Sequence, residues 1–184
     1  TLTKIANSLH DVTKESTIRK NIFFKEDEYM NPLVIAYNEK WLRDLPYIQD
    51  ARIIAFPLVN DSNSVDLYVV TNDIFPFGGS LQLKNINAYN ASASIENIKD
   101  MGNAFTINHN FDIKRKEKAS WGANYIARNI FGSFMDVSVG GNTLDINYAN
   151  FANSANTFYV IGNLPLLTPL SKWTGGFEWN SSLN

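Results

Sequence analysis

From Phe105 onward, apolar and polar side chains alternate with a period of two. This pattern restricts the fold more than any other feature. Phe105, Ile107, His109, Phe111 and Ile113 are separated by Thr106, Asn108, Asn110 and Asp112. Ala119, Trp121, Ala123, Tyr125 and Ala127 follow the same rule, as do Met135–Val139, Leu144–Tyr148 and Trp173–Trp179. Leu81–Lys84, Ala91–Glu96 and Phe158–Leu164 do so with interruptions. A helix brings residues three and four apart to one face. Strict alternation instead makes a strand with one apolar and one polar side. About seven or eight such segments predict an antiparallel sheet.

Two architectures satisfy that pattern. In a soluble sandwich the apolar face meets a second sheet. In an outer-membrane barrel it meets lipid, and the polar face lines the lumen. Three features favour the barrel. The best segments run about nine to eleven residues, enough to cross a bilayer when tilted. Aromatic residues (Phe105, Trp121, Tyr125, Phe131, Phe134, Tyr148, Trp173 and Trp179) sit near segment ends, as interfacial girdles require. The polar face carries Asn, Ser, Thr and Gly, with little Lys or Glu.

Charge density divides the chain after Ile74. Residues 1–74 hold 8 basic and 11 acidic side chains, and residues 75–184 hold 8 and 7. Such a drop marks a domain boundary. The net charge of -2 gives no electrostatic footprint for nucleic acid. The chain has no cysteine and only two histidines, which excludes thiol catalysis, disulfides and Cys-based zinc sites. No apolar run is long enough for a transmembrane helix. The opening Thr-Leu-Thr-Lys is neither an initiator methionine nor a signal peptide. A mature or internal segment of a longer protein is therefore expected.

Residues 13–73 predict helix, helix, strand, turn, strand. Thr13 is the expected N-cap of the first helix, with Glu15 in its first turn and Ile18 and Ile22 on one face. Asn31-Pro32 starts the second, with a stripe of Leu33, Tyr37, Trp41 and Leu45 and a stop at Pro46. Ala51–Leu58 and Val65–Thr71 are β-branched and aromatic, separated by turn residues Asn60–Ser64. A third strand within residues 1–10 would help such a hairpin.

The stretch Thr13-Lys-Glu-Ser-Thr17-Ile18-Arg19-Lys20-Asn21-Ile22 resembles the helix signature of a POTRA domain, T-x-x-x-V-[IL]-R-R-x-[ILM]. Where that family has glycine after an acidic residue, this chain has Asp27. Leu42-Arg43-Asp44-Leu45-Pro46-Tyr47-Ile48-Gln49-Asp50-Ala51 resembles the family's L-x-x-L-x-[YF]-[FI]-x-x-[AV]. With Val65–Asp73 (VDLYVVTND) it is similar to the form in BamA-type proteins of Bacteroidetes. Glu96–Ala104 resembles the first hairpin of the BamA-type barrel, and Arg128–Ser133 a later one, with Ile130 where proline is usual. The resemblance covers residues 8–140 well and the rest loosely. It implies an α+β POTRA domain (1–74) followed by all-β antiparallel membrane barrel strands (75–184), a partial barrel of about half the family's sixteen strands.

The resemblance further implies an assembly and insertion factor for outer-membrane β-barrel proteins, not an enzyme and without cofactor. Its partners would be unfolded outer-membrane proteins, the lipid bilayer and accessory assembly lipoproteins, with no nucleic acid. The POTRA part would lie in the periplasm. Client strands would add to the exposed edge at Ala51, Arg52, Ile53, Ile54, Ala55 and Phe56. A second edge would lie at Leu81, Gln82, Leu83, Lys84, Asn85 and Ile86. Pro57 would end the first by removing a donor, and Ile54→Pro should weaken client engagement. A two-partner-type secretion transporter and a soluble β-sandwich binding module are the alternatives.

Other candidates are weaker. His109 sits on an apolar face, where a lone histidine more often packs than reacts. His10-Asp11 has no set of partners for hydrolysis. Asp61-x-Asn63-x-x-Asp66 lacks the glycine and distal glutamate of a calcium loop. Lys114–Lys118 reads as a solvated turn. Gly140-Gly141 and Gly175-Gly176 read as turns or bulges.

Overall fold

The computed structural model describes residues 12–59, 61–114, 118–143, 156–169 and 171–183. The expectations for Leu144–Tyr148, for a strand within residues 1–10, for His10 and for the middle of the basic run lie outside them. Helices α1 (Glu15–Lys20) and α2 (Pro32–Asp44) precede a hairpin of β1 (Ile48–Leu58) and β2 (Asp61–Asp73). A seven-stranded sheet follows: β3 (Phe77–Asn85), β4 (Ala88–Ile98), β5 (Asn103–Asp112), β6 (Ala119–Ala127), β7 (Asp136–Asn142), β8 (Asn156–Leu164) and β9 (Gly175–Leu183). Each strand pairs antiparallel with the next. Among the described residues β3 and β9 do not pair with each other, so the sheet is open.

α2 starts as its sequence demands: the Asn31 side chain accepts from the Leu33 N–H at 3.0 Å, and Pro32 occupies the first helical position. Its buried line differs from the expected stripe. Leu33 is 49% exposed, whereas Asn38, Leu42 and Leu45 are buried. Asn38 takes the central place because its amide is satisfied there, accepting from the Phe23 N–H at 2.9 Å and donating to the Asn21 carbonyl at 2.8 Å. The core comprises Ile18, Leu42, Leu45, Tyr47, Ile48 and Ala51.

Thr13 does not cap α1. Lys14 holds that position without a side-chain bond, and the Thr13 hydroxyl donates to Asp73 Oδ2 at 2.8 Å, tying the helix entry to the end of β2. β2 begins earlier than expected, at Asp61, opposite Leu58, so the turn between the strands is shorter. Asp27 takes the left-handed conformation (φ 63°) at the place where the POTRA signature has glycine.

The register of the large sheet sorts its side chains into two faces. Phe77, Ile95, Phe105, Tyr125, Val139, Val160 and Trp179 form one row across the strands. Gly79, Ala93, Ile107, Ala123, Gly141 and Phe158 form the next. Leu81, Ala91, His109 and Trp121 follow, then Leu83, Tyr89, Phe111 and Ala119. The opposite face presents Ser80, Ser92, Asn108 and Gly122 in one row, and Ser94, Thr106, Asn124 and Gly140 in another. The apolar face is the exposed one: Ile107 is 40%, Trp121 54% and Phe158 50% accessible. No second sheet covers it among the described residues, contrary to what a sandwich core requires.

On this face larger aromatic side chains (Phe105, Tyr125 and Trp121) lie in the rows on either side of the row of smaller ones. Two expected girdle members lie elsewhere. Phe131 and Phe134 are in the β6–β7 turn, where Phe134 packs edge-on against Phe23 at 5.4 Å and Trp41 at 6.0 Å. Gly140 and Gly141 lie within β7 and Gly175 and Gly176 open β9, not in turns. A Cβ at Gly140 would collide with the Tyr159 hydroxyl. The glycine thus lets that ring lie across the neighbouring strand.

Candidate functional site

Three features stand out: the open edge of β1, the open edge of β3, and a polar dock joining the helices to the sheet turns.

β1 pairs with β2 on one side only among the described residues. Its pairing is unbroken from Asp50 to Pro57, so backbone groups alternate strictly between β2 and the open side. The open side belongs to the odd-numbered residues. The Ile53 N–H donates to Glu39 Oε2 at 2.9 Å, and Arg43 Nη1 donates to the Ala51 carbonyl at 3.0 Å. Glu39 and Arg43, one turn apart on α2, pair with each other at 2.7 Å. Of the expected edge residues, Ala51 and Ile53 are thus already engaged by α2. Arg52, Ile54 and Phe56 direct their backbone groups to β2. Ala55 presents a donor and an acceptor outward, and Pro57 has no donor.

The Ile53 N–H first, and then Arg43, hold the Glu39 carboxyl below its ordinary pKa. A lowered folded value means that the clamp contributes stability above the unfolded carboxyl pKa, about 4.3, and loses it as pH falls toward the folded value. Protection of the Ile53 amide against hydrogen exchange, corrected for intrinsic rate, should therefore decline as pH falls below about 4. The neighbouring Ile54 amide, paired to β2, should keep its protection.

The second edge is β3. Leu81, Gln82, Leu83, Lys84 and Asn85 lie within it, exposed along its whole length. Ile86 does not. It sits fully exposed in the two-residue turn to β4, which the Asn85 side chain closes by accepting from the Asn87 N–H at 2.8 Å; β3 starts at Phe77, before the expected segment.

The dock was not legible in the sequence. Asn129 is its centre. Its amide donates to the Lys20 carbonyl at 2.7 Å and to Asn21 Oδ1 at 3.0 Å, and its own oxygen accepts from the Phe134 N–H at 2.8 Å. Asn21 also accepts from Trp41 Nε1 at 3.3 Å. The β4–β5 turn joins through the Asp100 carbonyl, which accepts from Thr17 Oγ1 at 2.7 Å, and through Asn97, which donates to Thr13 Oγ1 at 2.7 Å. Gly102 packs under the Tyr47 ring, where a Cβ would stand 2.9 Å away. Burial there pushes the Tyr47 hydroxyl up to about 12. Arg128 Nη1 links the two turns, donating to Glu96 at 3.0 Å and to the Gly102 carbonyl at 2.7 Å.

Among the described residues, six of the seven non-glycine residues with positive φ (Asn97, Lys99, Asp100, Asn129, Phe131 and Phe134) lie at the end of β4 and in these two turns. Each costs about 1 kcal/mol or more. The strain is therefore concentrated where the sheet meets the helices.

His109 lies between Tyr89 and Trp121, with ring centroids at 5.6 and 4.3 Å, in an aromatic group on the apolar face. Among the described residues no cluster of three or more His, Cys, Asp or Glu could hold a metal ion, and no helix is long and apolar enough to cross a membrane.

No protein-family model matches the chain. It is similar to the outer membrane protein assembly factor BamA of Buchnera aphidicola, with 24% identity over 180 residues, which is 93% of this chain and 26% of that protein. Its structure is similar to the crystal structure of BamA from Haemophilus ducreyi lacking POTRA domains 1–3. The TM-score is 0.59 at 15% identity, covering 95% of this chain and 34% of the other. The chain thus spans about a quarter to a third of the proteins it matches. The likeness shows the fold: a mostly antiparallel sheet of the BamA-barrel type.

Proposed function

We propose that this chain takes part in inserting β-barrel proteins into the bacterial outer membrane. Residues 75–184 form the first part of a membrane barrel, and residues 1–74 form a POTRA domain on its periplasmic side. The chain works without a catalytic group or cofactor. Its partners are unfolded outer-membrane proteins, the bilayer and accessory assembly lipoproteins. The observation that carries this reading is the combination of unpaired strand edges with a sheet whose exposed face is apolar. Backbone groups cannot remain unpaired in lipid, so a strand entering the membrane needs an edge to pair with on the way. The open sides of β1 and β3 offer such edges. The similarity to BamA supports the same reading.

The backbone alternation identifies the informative substitution. Ile54→Pro would break the ladder to β2 and loosen the hairpin, whereas Ala55→Pro removes only the outward donor. Pro57 already shows that this edge accommodates proline. Ala55→Pro should weaken client-strand binding by about two- to tenfold, the worth of one hydrogen bond. The check is the rate at which an unfolded barrel protein inserts into vesicles carrying the membrane-embedded protein. Unchanged insertion by a folded Ala55→Pro variant would remove β1 from the mechanism.

A further inference from the structure

We infer that Glu39 and Arg43 set the register in which an extended polypeptide adds to β1. The inference rests on the reading that β1 receives client strands. These two side chains occupy the outward groups at the start of the edge: Arg43 on the Ala51 carbonyl and Glu39 on the Ile53 N–H. An incoming strand cannot pair there without displacing an ion pair that is itself bonded at 2.7 Å. Pairing is confined to the stretch beyond the clamp, where the carbonyls of Ile53, Ala55 and Pro57 accept and Ala55 alone donates.

Burial changes at the same place. Ile48 and Ala51 are buried, Ile53 is half-buried, and every residue from Ile54 to Leu58 is exposed. The window is therefore bounded at one end by α2 and at the other by a residue that cannot donate.

The chemistry of the window identifies its occupant. Ile54, Phe56 and Leu58 lie on the sheet face away from the helices, 41%, 52% and 39% exposed. Phe56 meets Tyr68 edge-on at 5.2 Å, and Val70 lies beside them on β2. A strand added next to β1 lays every second side chain beside Ile54 and Phe56. The fitting partner is a short extended segment with apolar residues at alternate positions, the pattern of a membrane β-strand.

The chain has no cysteine, so single cysteines report position cleanly. Arg52 and Phe56 both lie on the outer face and are exposed, one opposite the clamp and the other beyond it. The probe is a synthetic peptide of alternating apolar and polar residues carrying one cysteine as its 2-thiopyridyl disulfide, offered to the membrane-embedded protein, whose introduced thiol attacks the peptide sulfur and displaces thiopyridone. Phe56→Cys should form the mixed disulfide at least about fivefold faster than Arg52→Cys, a ratio within the worth of one blocked hydrogen bond. Adding Glu39→Ala frees the Ile53 N–H and should raise the Arg52→Cys rate to that of Phe56→Cys. Glu39→Gln keeps an oxygen acceptor and should leave the rates unequal.

Arg43→Met, which frees the Ala51 carbonyl, serves as a second release variant if Glu39→Ala loosens α2. Equal rates in the parent, or no rise in either release variant, overturn the register stop while leaving β1 a client edge. No cross-link at either cysteine overturns the client-edge reading, and the register stop with it.

Discussion

Replacing Ala123 with arginine should destabilise the membrane-embedded protein by about 2–4 kcal/mol, whereas the same change at Ala119 should cost about 0–1 kcal/mol. Both alanines are on β6, on the exposed apolar face, and both are accessible. They differ in depth. Ala123 stands between Ile107 and Gly141 in the row of smaller residues, and Ala119 opposite Phe111 at the end of the strand. An arginine at the centre of a bilayer must drag its charge through hydrocarbon, and near the interface it reaches water within its own length. The measurement is urea-driven unfolding from bilayers, with Asn108→Arg on the opposite face as a control expected to be mild. A soluble sandwich predicts a different result, since its core has no depth gradient set by lipid. Equal penalties at Ala123 and Ala119 would mean that this face does not lie in a membrane.

The face assignment behind that prediction was legible because it rests on the simplest rule in the chain. Phe105–Asp112 and Ala119–Tyr125 alternate without interruption, and β5 and β6 lie where the alternation places them. The glycines of β7 were misread because their reason lies on another strand. Gly140 and Gly141 look like a turn until the rings of Tyr159 and Phe158 are seen to need the room.

The β1 edge was half legible. Its residues announce a strand, but no sequence pattern tells which alternate amides face the partner. Glu39 and Arg43 read as an ordinary intrahelical pair. The dock was the least legible part, because a chain with 24 asparagines gives no reason to single out Asn21, Asn38 and Asn129. The bonds of Asn129 to Lys20 and Asn21 join residues more than a hundred positions apart. The one local signal was the pair of turn segments already similar to BamA-type barrel hairpins.

Asn129→Ala should lower the opening free energy of the α1 and α2 amides by about 3–4 kcal/mol. The side chain makes three hydrogen bonds in a buried setting, to Lys20, Asn21 and Phe134. Removing it strands the Lys20 carbonyl and the Phe134 N–H and leaves Asn21 Oδ1 with Trp41 alone, and each stranded group costs about 1–3 kcal/mol, reduced where it finds water. The backbone adds to this, because Asn129 sits at φ 46°, which alanine tolerates less well.

Asn129→Gly separates the two causes: it relieves the backbone and should recover about 1 kcal/mol, no more, if the hydrogen bonds dominate. Exchange at Asn21 and Ile22 is the informative readout, and β5 amides remote from the turn should be unaffected. The strained turns pay for a fixed placement of the helical unit against the sheet, so loosening Asn129 should release α1 while leaving the strands paired. If α1 and β5 lose protection together, the helices and strands unfold as one unit and the dock is part of a common core. If neither changes, Tyr47 on Gly102 and Thr17 on Asp100 hold the helices without it.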